Sequence, residues 1–306
     1  MGIENMFSSE SDVTAKSSQV DWRQVAQGIH AGSDLVIGLD ADGTILRHDT
    51  SLSERVRDAI QAHIAAGTHI VVTTGRGIQG TQIVLEKLGM ECGFAVAANG
   101  AIILAIGENS PVPTEEIAAH ARNNLVDVRL VRAHTFDPSK EIAIIHEALP
   151  QALMALESLT TTPRITGPFP PGELNGETTI VPVEELVVPL TTRVTVRAPS
   201  MSAEEMLDAV KDLGLPGVHY NIGWSAWMDL APQGINKAVG LQDVVDIVGA
   251  HHTIAVGDSD NDCDMLRWAE VGVAMGNAIA HVRAAANTVC PPVDEDGLAQ
   301  FLETLL

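Results

Sequence analysis

Basic residues are scarce in this sequence of 306 residues, which has 18 lysines and arginines against 40 aspartates and glutamates. The formal net charge at pH 7 is therefore −22. Such an excess of acid repels phosphate backbones and anionic lipids, and no local cluster of basic residues offsets it. We expect no nucleic-acid partner and no binding to an acidic membrane.

Cysteine and long apolar runs are also rare. Cys92, Cys263 and Cys290 are widely spaced and form no CxxC pair, which argues against a disulfide framework and against a zinc site. The longest nearly apolar run, 94–107, contains Asn99 and is too short to span a bilayer. The first twenty residues lack the apolar segment of a secretory signal. We expect a cytoplasmic protein with reduced cysteines and no membrane-spanning helix.

What the sequence does have is a regular alternation of strand-like and helical segments. Predicted strands cover residues 35–39, 69–73, 94–98, 253–256 and 271–274. Predicted helices cover residues 52–66, 78–88, 235–248, 278–286 and 295–305. This alternation is typical of a parallel sheet with helices on both faces. The sequence therefore predicts an α/β fold with a doubly wound parallel-sheet core.

Residues from about 106 to 228 differ in composition from the segments on either side, with many prolines between 163 and 189. Strand-like runs at 152–156, 192–197 and 226–230 alternate there with helical segments at 138–149 and 202–213. We interpret 106–228 as an inserted α+β domain, which leaves 34–105 and 229–306 as the core. Trp224 and Trp227 are interpreted as packing residues. Residues 1–33 are predicted to form a mobile N-terminal extension with a short helix over 20–30.

Two predicted strands end in acidic residues. The first runs into Asp40-Ala-Asp42-Gly43-Thr44, and the strand 253–256 runs into Gly257-Asp258-Ser-Asp-Asn261-Asp262. Ligands of open parallel sheets bind at the carboxyl ends of the strands, so both acidic segments point to one site. The first segment alone also fits a solvated turn. The second favours a site, because so many like charges repel one another unless a cation screens them.

The acidic cluster predicts a magnesium site rather than a calcium site. Asp258, Asp260 and Asp262 fall at positions 1, 3 and 5 of an EF-hand loop, but Cys263 and Ala269 stand where that loop needs glycine and glutamate. A Mg²⁺ ion takes one or two carboxylates, keeps several waters and leaves room for a substrate phosphate.

Residues that suit a phosphate group follow another strand and begin a helix. Thr74 and Gly75, after the strand 69–73, offer a hydroxyl and backbone N–H groups. Lys237 is placed near the start of a predicted helix, where a cation and a helix N-terminus together favour an anion. Arg76 follows directly on Gly75 and either reaches a substrate anion or pairs with an acid of the core.

In order and type, these segments resemble the four motifs of the haloacid dehalogenase (HAD) superfamily, most closely its Cof-type phosphatase branch. The matching residues are Asp40-x-Asp42-Gly43-Thr44, Thr74, Lys237 and Gly257-Asp258-x-x-Asn261-Asp262, with further matches at Asn99-Gly100-Ala101, 272–278 and 294–297. The resemblance covers nearly all of 35–306, although 290–293 departs from it. In that branch a C2-type cap domain lies between the residues that match Thr74 and Lys237, which agrees with the predicted insert.

The resemblance implies Mg²⁺-dependent hydrolysis of a small phosphorylated metabolite, such as a sugar phosphate, through an aspartyl-phosphate. It implies Asp40 as the nucleophile and Asp42 as the general acid and base. The implied metal ligands are the side chains of Asp40 and Asp258 and the backbone carbonyl of Asp42, with Asp262 acting through water. Thr74 and Lys237 would neutralise the transferred phosphoryl group. The expected phosphate-binding set comprises Gly43, Thr74, Gly75, Arg76, Asn99, Lys237 and Asn261.

Two alternatives stay open at this point. A phosphotransferase or phosphosugar mutase would use the same residues on the same scaffold. More remotely, Gly75-Arg-Gly77-Ile-Gln-Gly80 satisfies the GxGxxG pattern of an NAD-binding oxidoreductase, but the acid that should follow about 20 residues later is absent. The sequence gives no indication of the oligomeric state.

Overall fold

Two β-sheets organise the part of the chain that the structure, a computed structural model, describes: residues 20–107, 126–174, 176–215, 218–222 and 226–306. The strands are β1 (Leu35–Asp40), β2 (His69–Thr73), β3 (Gly93–Ala97), β4 (Ile102–Ile106), β5 (Val128–Ala133), β6 (Leu153–Ser158), β7 (Arg164–Ile165), β8 (Thr179–Ile180), β9 (Thr191–Arg197), β10 (Val218–Ile222), β11 (Trp227–Pro232), β12 (His252–Gly257), β13 (Val271–Ala274) and β14 (Thr288–Val289). The helices are α1 (Glu54–Ala65), α2 (Ile78–Leu88), α3 (Ser139–Ala148), α4 (Ala203–Val210), α5 (Lys237–Val248), α6 (Cys263–Trp268), α7 (Ala280–Ala285) and α8 (Gly297–Leu302). Apart from the segment 20–30, the predicted elements differ from these bounds by at most three residues.

The larger sheet has eight strands in the order β14-β13-β12-β1-β2-β3-β4-β5. The strands from β14 to β3 run parallel, while β4 and β5 are antiparallel to their neighbours. Strand β1 lies between β2 and β12, and its last residue, Asp40, pairs with Thr73 at the end of β2. The carboxyl ends of β1, β2 and β12 therefore meet at one edge of the sheet, where open α/β sheets bind ligands.

Helices cover both faces of the larger sheet. Apolar side chains of α1, α2 and α8 pack on one face, and those of α5, α6 and α7 pack on the other. All six residues of β1 are buried, as expected for a parallel strand that is covered on both sides. The predicted doubly wound α/β core is confirmed.

The smaller sheet has six strands in the order β10-β11-β9-β6-β7-β8, and its pairs are antiparallel except for β7 with β8. Alternate side chains of β6, β9 and β11, such as Leu156, Val194 and Met228, pack with Ile145 of α3 and Met206 of α4. The opposite set of side chains faces away from these helices, since successive residues of a strand point to opposite faces. This α+β unit is the cap of the predicted fold class.

Both boundaries of the insert differ in the structure from the predicted ones, because two strands pair with the other sheet. Strand β5, which the sequence analysis assigns to the insert, pairs with β4 in the larger sheet. Residues 229–232, which it assigns to the core, belong to β11 in the smaller sheet. Composition alone did not locate these boundaries, because the apolar residues of β5 and β11 do not show which sheet each strand joins.

The prediction of a mobile extension is wrong for residues 20–33. Trp22 and Val25 pack against the core, and Ile29 is buried in it. The N–H group of Ala31 donates a hydrogen bond to the Leu305 carbonyl at 2.9 Å. The predicted helix over 20–30 is replaced by successive turns over 22–28, which place the apolar side chains on the core. The remaining residues, 1–19, lie outside the part of the chain that the structure describes.

None of the helices in the described ranges combines the length and the apolar character that crossing a membrane requires.

Leu241→Ala should destabilise the larger sheet. The Leu241 side chain is fully buried and lies against the backbone of Gly38 in β1, where a Cβ atom would come within 2.6 Å of it. Removing three carbons from such a position costs about 2–5 kcal/mol in the free energy of unfolding. Urea unfolding measures the loss. The matched control, Leu306→Ala, truncates an exposed leucine of the same unit and should cost less than about 0.5 kcal/mol; equal losses in the two variants would contradict the packing described here.

Candidate active site

A buried lysine lies between two aspartates at the carboxyl edge of the larger sheet. The Nζ atom of Lys237, the first residue of α5, donates to Oδ1 of Asp40 at the end of β1. It also donates to Oδ1 of Asp262, in the loop after β12, at 2.6 Å. The side chains of Lys237 and Asp262 are fully buried, and that of Asp40 is 6% exposed. These contacts bring together three segments that are far apart in the sequence.

One lysine does not balance the negative charge of this cluster. Burial by itself would lower the pKa of Lys237, but the charges of Asp262 and Asp40 outweigh burial and raise that pKa. For Asp40, burial and the charge of Asp262 outweigh the attraction of Lys237, so its pKa lies well above the usual 3.8. Lys237 faces two carboxylates, whereas Asp40 shares its one cation with Asp262. The cluster therefore has an excess of negative charge, which a second cation would offset.

Asp258 and Asp262 are held by hydrogen bonds within the loop after β12. Oδ2 of Asp262 accepts the backbone N–H groups of Asp258 and Ser259, each at 2.9 Å. Oδ1 of Asp258 accepts the Thr44 hydroxyl at 3.0 Å. Burial, followed by the charge of Asp262, raises the pKa of Asp258 to about 6. Asp262 thus fixes the loop with one oxygen and anchors Lys237 with the other.

The carboxylates fit a divalent cation with oxygen ligands. One oxygen each from Asp40, Asp258 and Asp262 lies within 4.8 Å of the others. Oδ2 of Asp40 is buried and has no hydrogen-bond partner among the described residues, an arrangement that is costly unless a cation or a ligand meets the oxygen. Gly43 permits the close approach of Asp258, since a Cβ atom at Gly43 would lie 2.3 Å from Oδ2 of Asp258. Such a donor set suits Mg²⁺.

A chain of hydrogen bonds connects the loops that follow β2, β3 and β12. The N–H group of Asn99 donates to the Thr74 carbonyl at 3.0 Å. Oδ1 of Asn99 accepts from Nδ2 of Asn261 at 2.9 Å, and Oδ1 of Asn261 accepts the Ser259 hydroxyl at 2.8 Å. Asn99 adopts a left-handed backbone conformation with φ of 53°, which asparagine tolerates better than most residues. Asn99 and Asn261 therefore position the loops around Thr74.

Arg76 pairs with an acid of the core, which is one of the two alternatives that the sequence left open. Its Nε atom donates to Oδ2 of Asp42 at 2.9 Å, and its Nη2 atom donates to Oδ1 of Asp42 at 2.5 Å. The pair is bidentate, which is the strong geometry for a guanidinium and a carboxylate. The Asp42 side chain is 52% exposed, so the pair lies at the surface of the site rather than within the buried cluster.

A cavity of about 560 Å³ separates this edge of the larger sheet from the smaller sheet. Six of the predicted site residues line it, namely Asp40, Asp42, Thr74, Gly75, Arg76 and Asn261. The other predicted residues, Gly43, Asn99, Lys237, Asp258 and Asp262, contact these residues or one another from behind the lining. The structure therefore brings all the predicted site residues together at one end of the cavity.

The residues that the smaller sheet contributes to this cavity were not among the predicted site residues. Glu157 of β6, Arg193 of β9, and Trp227 and Asp229 of β11 line it from the side opposite Asp40. Trp227 was interpreted as a packing residue, whereas Trp224 lies outside the described residues. Polar residues at every second position of β9, from Thr191 to Arg197, were a signal, since they mark a sheet face that the helices leave open.

In metal-free protein, the stability of the fold should depend on the protonation of Asp258. Its pKa is about 6 in the folded state against the usual 3.8, so the folded state holds the proton more tightly than the unfolded chain does. The free energy of unfolding should therefore fall as the pH rises from about 4 to about 6, and Asp258 contributes on the order of 2 kcal/mol to this fall. Urea unfolding in EDTA should show a smaller fall for Asp258→Asn than for the wild type. A steeper fall in the variant would contradict the assignment.

Comparison with known proteins places the whole arrangement in one family. Residues 37–145 and 191–302 match the family model of the haloacid dehalogenase-like hydrolases. The chain is 29% identical to the 5-amino-6-(5-phospho-D-ribitylamino)uracil phosphatase YitU of Bacillus subtilis, over 88% of this chain and 96% of that protein. It is 26% identical to a phosphoglycolate phosphatase of Natronomonas pharaonis, over 88% of this chain and 95% of that protein.

A solved structure agrees at the level of the fold. A sugar phosphatase of HAD subclass IIB superposes with a TM-score of 0.68 and 21% identity, over 88% of this chain and 98% of that one. The predictions of a Cof-type HAD fold and of a phosphatase are confirmed, and the remote oxidoreductase alternative finds no support. The chain belongs to the haloacid dehalogenase-like hydrolases.

Proposed function

We propose that this protein hydrolyses phosphomonoesters of small metabolites with Mg²⁺, through an aspartyl-phosphate on Asp40. The observation that carries the proposal is Oδ2 of Asp40, a buried carboxylate oxygen with no hydrogen-bond partner among the described residues, on a residue that lines the cavity. A carboxylate at this position suits nucleophilic catalysis, because it divides one difficult displacement into two easier ones.

The carboxylates of Asp40 and Asp258 and the backbone carbonyl of Asp42 would hold the ion, with Asp262 acting through water. When bound, Mg²⁺ supplies positive charge that stabilises the phosphoryl oxygens during transfer. The shortage of positive charge around Asp40 supports this assignment, as does the close approach of the three carboxylates.

Asp40 and Asp42 divide the chemistry between them. The Asp40 carboxylate attacks phosphorus, and the bond from phosphorus to the substrate oxygen breaks as Asp42 gives a proton to the leaving alcohol. Asp42 then takes a proton from water, which attacks the aspartyl-phosphate and releases inorganic phosphate. One residue serves both steps, because each step leaves it in the protonation state that the next one needs.

Lys237 and Thr74 would stabilise the phosphoryl group during both steps. An ammonium group has three N–H donors, and Asp40 and Asp262 occupy two of those of Lys237. No third partner of this ammonium is found among the described residues, so its remaining donor would serve a phosphoryl oxygen held close to Asp40. The Thr74 side chain lines the cavity, and electrostatic positioning of this kind supplies most of the catalysis in phosphoryl transfer.

Arg76 connects substrate binding to the general acid. Both oxygens of Asp42 accept from Arg76. A substrate phosphate that enters the cavity would compete for the guanidinium and free Asp42 to reach the leaving group. In this role Arg76 would pair first with Asp42 and then with the substrate phosphate.

The substrate is proposed to be a sugar phosphate or a similar small metabolite, because the cavity of about 560 Å³ limits its size. The relatives named above differ in their leaving groups. YitU is named for a phosphorylated ribityl chain attached to a uracil, whereas the phosphoglycolate phosphatase is named for a substrate with a carboxylate. A phosphotransferase or mutase on the same scaffold would pass the phosphoryl group to an alcohol instead of water, and no contact among the described residues favours it.

Asp40→Asn should abolish the hydrolysis of p-nitrophenyl phosphate. Wild-type protein should turn the compound over with Mg²⁺ and not with EDTA, and the variant should lose a factor of about 10³ or more in kcat because an amide is a poor nucleophile. The matched control is Asp34→Asn, just before the opposite end of β1, which should retain activity. A wild-type protein inactive towards p-nitrophenyl phosphate and a panel of sugar phosphates, or an active Asp40→Asn variant, would overturn the proposal.

A further inference from the structure

The smaller sheet covers the proposed phosphate site with a face that its own helices leave open. In β11, Trp227 and Asp229 line the cavity, while Met228 and Leu230 between and beyond them pack towards α3 and α4. Arg193 of β9 lines the cavity in the same way. This lining, together with Glu157 of β6 and Glu173 in the turn before β8, forms the roof of the cavity. The leaving group of a substrate bound at Asp40 would meet this roof.

Arg193 connects the roof to the phosphate-binding loop. Its Nη2 atom donates to Oε1 of Glu157 at 2.6 Å, and its Nη1 atom donates to the carbonyl oxygen of Gly75. The Arg193 side chain is only 7% exposed. Glu157 in turn lies against Gly77, where a Cβ atom would come within 1.6 Å of Oε2 of Glu157. These contacts fix the distance between the roof and the loop that carries Thr74.

The roof carries three carboxylates, and both arginines that contact them are already paired with acids, within the part of the chain that the structure describes. Arg193 is bound to Glu157, and Arg197 forms a bidentate pair with Glu173 at 2.9 and 3.0 Å. The third carboxylate, Asp229, lies 3.8 Å from Nη1 of Arg193. A carboxylate of the leaving group that reached the roof would therefore lie beside like charges. Lys87 of α2 also lines the cavity but lies outside the roof.

Asp229 offers a carboxylate oxygen that is suited to a substrate hydroxyl, whereas Oε2 of Glu157 lies against the backbone of Gly77. The Oδ1 atom of Asp229 accepts the Thr195 hydroxyl at 2.7 Å, which fixes the orientation of the side chain. Its Oδ2 atom has no hydrogen-bond partner among the described residues, and the side chain is 14% exposed towards the cavity that it lines. A hydroxyl can donate to such an oxygen, whereas an ionised carboxylate has no proton to give.

We infer that the roof selects the leaving group by charge, with Asp229 as the specificity-determining residue. It binds an uncharged, hydroxyl-bearing leaving group and disfavours one that carries a carboxylate. The inference rests on the proposed phosphatase function and narrows its substrate class to phosphorylated polyols and sugars without an acid group. The side chains of Ser158, Thr161 and Thr192 add hydroxyls to the same cavity.

Two substrates that differ in a single group test the inference. Glucitol 6-phosphate and 6-phosphogluconate share a six-carbon chain and a phosphate, but one ends in a hydroxymethyl group and the other in a carboxylate. The wild type should show a kcat/KM at least about 10-fold higher for glucitol 6-phosphate, the size of effect expected when one group loses its partner. Asp229→Asn removes the charge and keeps the shape, so it should reduce this ratio several-fold, chiefly by raising kcat/KM for 6-phosphogluconate.

Asp208→Asn is the matched control, since Asp208 is an exposed acid of α4 in the same unit and does not line the cavity. It should leave the ratio unchanged. A wild-type ratio of one or below would overturn the selection by charge, and this measurement needs no variant to fold. An unchanged ratio in a folded Asp229→Asn protein would overturn the role of Asp229. Failure to hydrolyse p-nitrophenyl phosphate as well would instead contradict the proposed function, so the two failures are distinguishable.

Discussion

The ammonium group of Lys237 is the contact on which the rest of the site depends. It joins Asp40 at the end of β1, Asp262 in the loop after β12, and the first turn of α5. Removing one partner of such a buried pair leaves an uncompensated charge and costs about 3–5 kcal/mol. Asp262 extends the effect, because its second oxygen holds the backbone of the loop that carries Asp258. The same contacts that stabilise this edge of the sheet therefore position the acids for chemistry.

Charge is distributed unevenly between the two sides of the cavity. On the side of the larger sheet, Lys237, Arg76 and the proposed ion would offset the acids and favour a phosphate. On the opposite side, Glu157, Glu173 and Asp229 outnumber the arginines that pair with them. One end of a substrate would thus be bound as an anion and the other as an uncharged group. The net charge of −22 describes neither environment, since most of the acids lie elsewhere.

Sequence reasoning could place the acids and Thr74, because parallel strands end at one edge and their apolar runs identify where each strand stops. It did not place β4, because the apolar residues on both sides of Asn99 and Gly100 were taken as one run, although the chain reverses direction at Asn99. Residues 20–33 were misjudged because their few apolar side chains bury against a core that only the folded chain provides. Arg193 and Asp229 lie within antiparallel strands, where a polar residue that lines a cavity looks the same in sequence as one that faces solvent.

The central claim is that Asp40 is the group that accepts the phosphoryl moiety, and trapping that group is the most direct test. Protein quenched with acid during turnover of a phosphomonoester can be reduced with borohydride, which converts an aspartyl-phosphate to homoserine, and then mapped by mass spectrometry. The account predicts homoserine at position 40, in amounts that depend on Mg²⁺. Homoserine at Asp42 or Asp258, or an unmodified Asp40 in protein quenched while it is hydrolysing substrate, would contradict it.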